Sequence, residues 1–141
     1  MASCGKDFLV ETDPNNITSG NFYMSESDIQ SSLFGAYAVF KDNRYITRQE
    51  YFTNSKARQE YYANAGGSGG ANVAFWAQSV APDHTFLKDR WTSIYSSINR
   101  ANTVLAHLDD NGITYSSPTI KDTFDAEARF IRAIGYFYLV T

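Results

Sequence analysis

Apolar residues recur at helical spacing in three stretches of the chain, and these stretches predict three helices. The first covers about residues 25–42, the second about 89–109 and the third about 120–141. The first opens with Ser25-Glu26-Ser27-Asp28, a capping-box-like start in which acidic side chains favour the helix N-terminus. Its apolar positions follow at steps of three and four: Ile29, Leu33, Ala36, Tyr37 and Phe40. The pattern predicts an all-α fold.

The second predicted helix carries one apolar stripe along its length. The stripe is formed by Trp91, Ile94, Tyr95, Ile98, Asn102, Leu105 and Leu108. A buried Asn must satisfy its amide, so we expect Asn102 to bond the backbone of a nearby turn. Asn111-Gly112 ends the helix, since either residue accepts a left-handed conformation. A loop through Ser116-Ser117-Pro118 then leads to the third helix, and the two helices are expected to pack as an antiparallel hairpin.

The third predicted helix is apolar on more than one side. Its helically spaced positions are Ala126, Phe130, Ala133, Ile134 and Phe137, and further apolar groups on the flanks are Ile131, Tyr138 and Leu139. So wide a surface predicts burial between other helices. No Gly, Asn, Pro or terminal cation marks a helix end before residue 141. We therefore expect the chain to be the front part of a longer protein.

Between the first two helices the pattern is irregular, and a long loop region is predicted over about residues 43–88. The run Gly66-Gly67-Ser68-Gly69-Gly70 breaks any regular element. A phosphate-binding P-loop needs Lys and then Ser or Thr after its last Gly, but Ala71-Asn72-Val73 follows here. A surface loop is the favoured interpretation. The segment holds Tyr51, Phe52, Arg58, Tyr61, Tyr62, Asn72, Phe75 and Trp76.

This set of side chains suits a carbohydrate ligand. Aromatic rings stack on the C–H faces of a sugar, while amide and guanidinium groups bond its hydroxyls. We predict Trp76 as the first contact, with Asn72, Arg58 and Tyr62 beside it. For each aromatic taken singly, packing of the loop onto the helices is the competing interpretation.

Composition and motifs argue against several classes of function. The chain has a net charge of -3 and a pI of about 5.2, which gives no electrostatic footprint for nucleic acid. No metal-ligating or nucleophile motif is present, so neither an enzyme nor a cofactor is predicted. The single cysteine excludes an internal disulfide framework. It stands in Ala2-Ser3-Cys4-Gly5, small residues typical of the end of a bacterial lipoprotein signal, and a chance Cys is the alternative.

The order of these segments resembles the N-terminal part of the SusD/RagB family. The resemblance is carried by Cys4-Gly5-Lys6-Asp7-Phe8-Leu9, by Asn21-Phe22 before Ser25-Glu26-Ser27-Asp28, by Trp91-x-x-Ile94-Tyr95-x-x-Ile98-x-x-Ala101-Asn102, and by Ala126-Glu127-Ala128-Arg129-Phe130-Ile131-Arg132-Ala133. It implies helical hairpins of the tetratricopeptide type within a larger α-helical fold. Residues 1–24 are then a lipoprotein N-terminus with an extended lead-in, and residues 25–141 are an incomplete helical domain.

The same resemblance implies a function. Members are outer-membrane lipoproteins at the cell surface of Bacteroidetes that bind glycans and deliver them to a SusC-like TonB-dependent transporter. Cys4 matches the lipidated residue of the family by position. The expected function is non-catalytic glycan binding and delivery. Two alternatives stay open: a helical protein-interaction scaffold, and a peptide-capturing relative of the same family.

Overall fold

Three long α-helices form the fold over the described part of the chain. The computed structural model describes residues 22–42, 44–45, 73–75 and 77–140. Helix α1 spans Glu26–Ala38, α2 spans Thr85–His107 and α3 spans Pro118–Val140. Two short 3-10 turns, Val39–Lys41 and Asp110–Gly112, follow α1 and α2. Over the described ranges there is no strand, which confirms the predicted all-α class.

The start of α1 is fixed by the predicted capping box. The Ser25 hydroxyl accepts a hydrogen bond from the Asp28 backbone N–H at 3.3 Å, and the Asp28 carboxylate accepts one from the Ser25 N–H at 2.9 Å. One turn further on, Ile29 begins the buried stripe of α1, which continues through Leu33 and Ala36. The sequence pattern of this helix is therefore confirmed.

The starts and ends of the other two helices differ slightly from the prediction. Helix α2 begins earlier than expected because the His84 ring nitrogen Nδ1 accepts a hydrogen bond from the Phe86 N–H at 3.2 Å and caps the helix. Helix α3 begins at Pro118, a position where the missing N–H of proline costs no hydrogen bond. Helix α2 ends at His107, before the predicted Asn111-Gly112, and Gly112 takes a positive φ of 62° at the end of the 3-10 turn that follows.

Helices α2 and α3 form an antiparallel hairpin, as predicted. The Arg90 guanidinium donates to the Tyr138 carbonyl at 3.4 Å near one end of the pair. Further along, the Arg132 guanidinium donates to the Asn102 side-chain oxygen at 3.2 Å. As residue numbers rise in α2 they fall in α3, so the helices run in opposite directions. The hairpin buries one side of each helix against α1.

The core lies where α1 meets this hairpin. One group of buried side chains joins all three helices and comprises Ile29, Leu33, Ala36, Ala101, Val104, Leu108, Phe124, Ala128 and Ile131, with Tyr23 at its edge. A second group, Val39, Tyr45, Ile94 and Ile98, lies towards the loop region. The backbone N–H of Ser116 donates to the Glu26 carboxylate at 2.6 Å, which fastens the loop of the hairpin to the first turn of α1.

The predicted stripe of α2 is partly wrong. Ile94, Ile98 and Leu108 are buried as expected, whereas Trp91, Tyr95 and Asn102 are exposed. The helix turns small residues towards its neighbours instead: Ser93, Ser97 and Ala101. Small side chains let helices approach closely, and a search for large apolar residues does not find them. Asn102 therefore bonds Arg132 at the surface and not the backbone of a turn.

Of the wide apolar surface predicted for α3, one side is packed within the described residues. The side packed in the core, called here the inner face, consists of Phe124, Ala128, Ile131 and Gly135. By helical spacing the opposite side, called the outer face, consists of Ala126, Phe130, Ala133, Phe137 and Val140, all of them exposed. A Cβ atom placed on Gly135 would lie 2.6 Å from Ile98 Cγ1, so the inner face meets α2 at very close range.

Candidate ligand-binding site

The residues predicted from the sequence to bind a ligand lie outside the described residues. This holds for Trp76, Asn72, Arg58 and Tyr62, and also for Cys4, the predicted lipidation site. Their roles remain predictions. The structure does describe the chain on either side of Trp76 and the point at which the loop region leaves α1.

Phe75, directly before Trp76, is held in an aromatic cluster at the start of α2. Its side chain is buried, and its ring stacks on Phe86 with centroids 6.2 Å apart. The His84 ring meets it edge-on at 4.9 Å. For Phe75, one of the loop aromatics, packing is therefore the correct interpretation. Its burial fixes the backbone beside Trp76 to the helix.

The backbone around position 76 is closed by hydrogen bonds. The N–H of Ala77 donates to the Val73 carbonyl at 2.8 Å, and the N–H of Ser79 donates to the Ala74 carbonyl at 2.9 Å. Gln78 completes the turn with a positive φ of 55°, a left-handed conformation uncommon for residues other than Gly. Phe75 is held by burial and Ala77 by a hydrogen bond, so the residues directly before and after position 76 are both fixed in place.

Tyr45 anchors the other end of the loop region. Only 1% of it is exposed, and its ring meets Phe40 and Tyr138 edge-on at 5.1 and 6.0 Å. Burial raises the pKa of the Tyr45 hydroxyl, and the neighbouring Ser97 hydroxyl partly offsets that rise. A Tyr that stays neutral and buried acts as packing. Tyr45 and Phe75, which lie in the described chain on either side of residues 46–72, are thus both held by aromatic packing.

Sequence reasoning missed one exposed aromatic pair, Trp91 and Tyr95 on α2. Their rings lie 5.2 Å apart at an interplanar angle of 45°, and the two residues are 55% and 44% exposed. Helical spacing assigned them to the core, because periodicity alone cannot tell a covered apolar side from an open one. Adjacent exposed rings offer a surface on which flat molecules stack.

Other kinds of site were also sought. Over the described ranges, no three His, Cys, Asp or Glu side chains lie close enough to hold a metal ion. None of the helices described combines the length and apolarity needed to cross a membrane. The electrostatic contacts found on α3 are surface pairs, such as that between Arg129 and Asp125 at 2.6 Å.

The sequence was compared with known protein families. Residues 7–141 match a SusD-like family described as "Starch-binding associating with outer membrane". The chain belongs to this SusD-like family. Its members are non-catalytic binding proteins, which agrees with the expectation that the chain is not an enzyme.

One curated relative is the SusD-like protein P25 of Formosa agariphila. It is 28% identical over 146 residues, which cover 98% of this chain and 27% of the relative. The chain thus spans about a quarter of the length of this SusD-like relative. No solved structure matches the chain.

Proposed function

We propose that this SusD-like chain belongs to a cell-surface lipoprotein that binds glycans and delivers them to a SusC-like TonB-dependent transporter. The observation that carries the proposal is the family match over residues 7–141, whose description joins starch binding with the outer membrane. Cys4 is the proposed lipidated residue that holds the protein in the outer membrane. Glycan, transporter and membrane are thus the three proposed partners, and no nucleic acid is among them.

The proposed glycan contacts are Trp76, Asn72, Arg58 and Tyr62. Support comes from the burial of Phe75 and from the hydrogen-bonded turn through Ala77, which hold the chain on both sides of Trp76. A ring presented from a fixed backbone loses less entropy on binding than one on a free chain. Stacking by Trp76, with hydrogen bonds from the amide and guanidinium groups, then gives modest affinity for a sugar.

We also propose that residues 25–141 are the N-terminal part of a larger helical domain with tetratricopeptide-like hairpins. Support comes from the apolar outer face of α3, on which Phe130 and Phe137 are 57% and 60% exposed. The relative in Formosa agariphila, of which the chain covers 27%, is consistent with further helices. Such helices would bury the outer face.

A helical scaffold for protein partners is the second candidate function. The observation that favours it is the same outer face, since exposed apolar surface also marks protein contacts. Capture of peptides in place of glycans is the third candidate, and it uses the same proposed loop contacts.

The deciding experiment is a titration of the full-length protein against a panel of polysaccharides and peptide mixtures. We expect saturable glycan binding that Trp76→Ala abolishes. Trp91→Ala is measured alongside, because Trp91 is an exposed Trp outside the four proposed contacts; loss of binding in this variant alone would move the stacking contact to the Trp91–Tyr95 pair. Glycan binding that survives Trp76→Ala moves the site elsewhere. Binding of peptides alone favours peptide capture, and no binding favours the scaffold.

A further inference from the structure

A cleft lies between the end of α1 and the middle of α2. Its volume is about 440 Å³, within the range of pockets that take small molecules. Polar side chains dominate its lining: Lys41, Arg44, Thr92, Ser93, Ser96 and Arg100. None of its described lining residues is among the four proposed contacts, and neither the sequence pattern nor the comparisons assign the cleft a role.

Ser93 contributes a buried hydroxyl to this cleft. It is only 5% exposed, and its hydroxyl has no hydrogen-bond partner. Thr103 and Thr123, on α2 and α3, bond the carbonyl four residues earlier at 3.0 and 2.8 Å, as hydroxyls in helices commonly do. A buried hydroxyl left unpaired is destabilising, so a ligand that bonds it gains affinity.

Two of the cationic side chains that line the cleft, Lys41 and Arg100, have N–H donors without hydrogen-bond partners among the described residues. Arg100 donates one N–H to the Gly35 carbonyl at 2.7 Å, which fixes the guanidinium at the cleft and leaves its remaining donors for other groups. No carboxylate in the described part of the chain pairs with Lys41. Arg44 is different, because it forms a two-pronged pair with Asp42 at 2.6 and 2.9 Å.

The balance of donors and acceptors defines the ligand chemistry. Among the described lining residues Asp42 alone carries a carboxylate, and Arg44 occupies both of its oxygens. Arg44 also lowers the pKa of the Asp42 carboxyl, so that group stays ionised and paired at neutral pH. Asp89 acts on Arg44 from a greater distance. The cleft therefore presents unused N–H and O–H donors, and its described lining has no unpaired carboxylate that would repel an anion.

We propose that this cleft binds an anionic group, a carboxylate or a sulfate, carried on a sugar. Lys41 and Arg100 face the charge, and the Ser93 hydroxyl donates a hydrogen bond to the anion at the closed end. Thr92 and Ser96, one turn apart on α2, provide hydroxyls for the sugar itself. The choice of a sugar as carrier rests on the proposed glycan-binding function, whereas the anion site rests on the cleft alone.

Calorimetric titration of the full-length protein tests the site, with three probes at equal ionic strength: inorganic sulfate, galacturonate and neutral galactose. We expect galacturonate to bind in a saturable way, sulfate to compete with it, and galactose to bind at least about tenfold more weakly. Ser93→Ala is expected to weaken galacturonate binding about tenfold. Lys41→Gln is expected to weaken it as well and to reduce its dependence on salt.

Two matched variants serve as controls. Ser97→Ala removes a second buried hydroxyl, which lies beside Tyr45 one turn further along α2 and outside the cleft lining. Lys88→Gln removes an exposed cation of α2, also outside the lining. Both controls are expected to bind galacturonate as the unmodified protein does, and thermal unfolding of all four variants checks that each is folded.

The possible results separate this site from the proposed function. Sulfate binding without galacturonate binding overturns a carboxylate-bearing sugar as the ligand, while equal binding by Ser93→Ala and Ser97→Ala overturns the site in the cleft. If neutral polysaccharides bind and Trp76→Ala abolishes that binding while no anion binds, the glycan function stands and the anion site is wrong. If anions bind at Ser93 while no polysaccharide binds, the reverse holds.

Discussion

The inner and outer faces of α3 are both apolar, but the inner face is buried and the outer face is exposed. On the inner face, Ile131 and Ala128 are fully buried against α1 and α2. On the outer face, Phe130 and Phe137 are more than half exposed and Val140 is 84% exposed. Single exposed apolar residues are ordinary, but five at successive turns of one helix form a continuous apolar surface.

The two faces differ in the size of their side chains. The inner face combines one large ring, Phe124, with the small residues Ala128 and Gly135, so α2 approaches closely. The outer face carries two rings that meet no helix within the described residues. The difference teaches that close contact within the hairpin depends on small residues, while the large rings of α3 lie on its exposed side.

The first prediction tests whether the outer face is covered in the full-length protein or is ordinary solvent-exposed surface. Since we propose that further helices cover it, Phe130→Ala in the full-length protein should lower the free energy of unfolding by about 3–5 kcal/mol, the cost of removing a core ring. Urea denaturation measures this change. Phe34→Ala is the control, because Phe34 of α1 is 61% exposed, and its effect should stay within about 0.5 kcal/mol. A Phe130→Ala effect as small as that of the control contradicts the proposal.

The inner face is tested by Ile131→Ala. Ile131 is fully buried where the three helices meet, so the expected loss of unfolding free energy is about 2–5 kcal/mol. The milder Ile131→Val should cost about 0.5–1.5 kcal/mol, which separates lost volume from lost branching. A loss below about 1 kcal/mol for the alanine variant would mean that the inner face is not the core of the hairpin.

The close approach of α2 to Gly135 gives a second test of the packing on the inner face. Gly135→Ala places a methyl group 2.6 Å from Ile98 Cγ1, and the overpacking should cost about 1–3 kcal/mol despite the better helix propensity of Ala. Gly35→Ala in α1 is the matched control, since no heavy atom lies within 4 Å of its added Cβ. That variant should gain about 0.5–1 kcal/mol. Thermal unfolding distinguishes the two signs, and a stabilised Gly135→Ala would contradict the packing described.

The smallest expected effect belongs to the charged pair at the rim between the faces. Arg129 bonds Asp125 and lowers the pKa of its carboxyl below the ordinary value of 3.8. Because the folded pKa is lowered, the pair stabilises the protein above pH 3.8, and this contribution disappears as the pH falls through the lowered pKa. In Arg129→Gln, NMR titration should show the Asp125 pKa rising towards 3.8. An unchanged pKa would show that the pair does not form in solution.

Much of the fold follows from the apolar pattern, because the pattern reports where helices lie. Ser25 and Asp28 fix the start of α1, and Ile29, Leu33 and Ala36 pack as their spacing predicts. The pattern does not report which apolar side is covered. Sequence reasoning placed Phe130 and Trp91 in the core and overlooked Ser93 and Gly135, because small residues in a contact carry little apolar signal.

The site was less predictable than the fold. Trp76 was chosen for its chemistry, and nothing in the sequence reveals that Phe75 beside it is buried or that Tyr45 holds the other end of the loop region. The cleft at Ser93 was not predicted, since its lining residues are distant in sequence and become neighbours only when α1 packs on α2. Such a juxtaposition is a property of the fold.

The anchoring of the loop region by Tyr45 and Phe75 has a consequence for how such a protein changes over generations. Each doubling in the length of a flexible loop costs only about 0.6 kcal/mol of closure entropy. Tyr45 and Phe75 are buried against the helices, so the chain before and after residues 46–72 is held by contacts that do not depend on how many residues lie between them. Insertions and substitutions between Tyr45 and Phe75 therefore leave both anchoring rings in place.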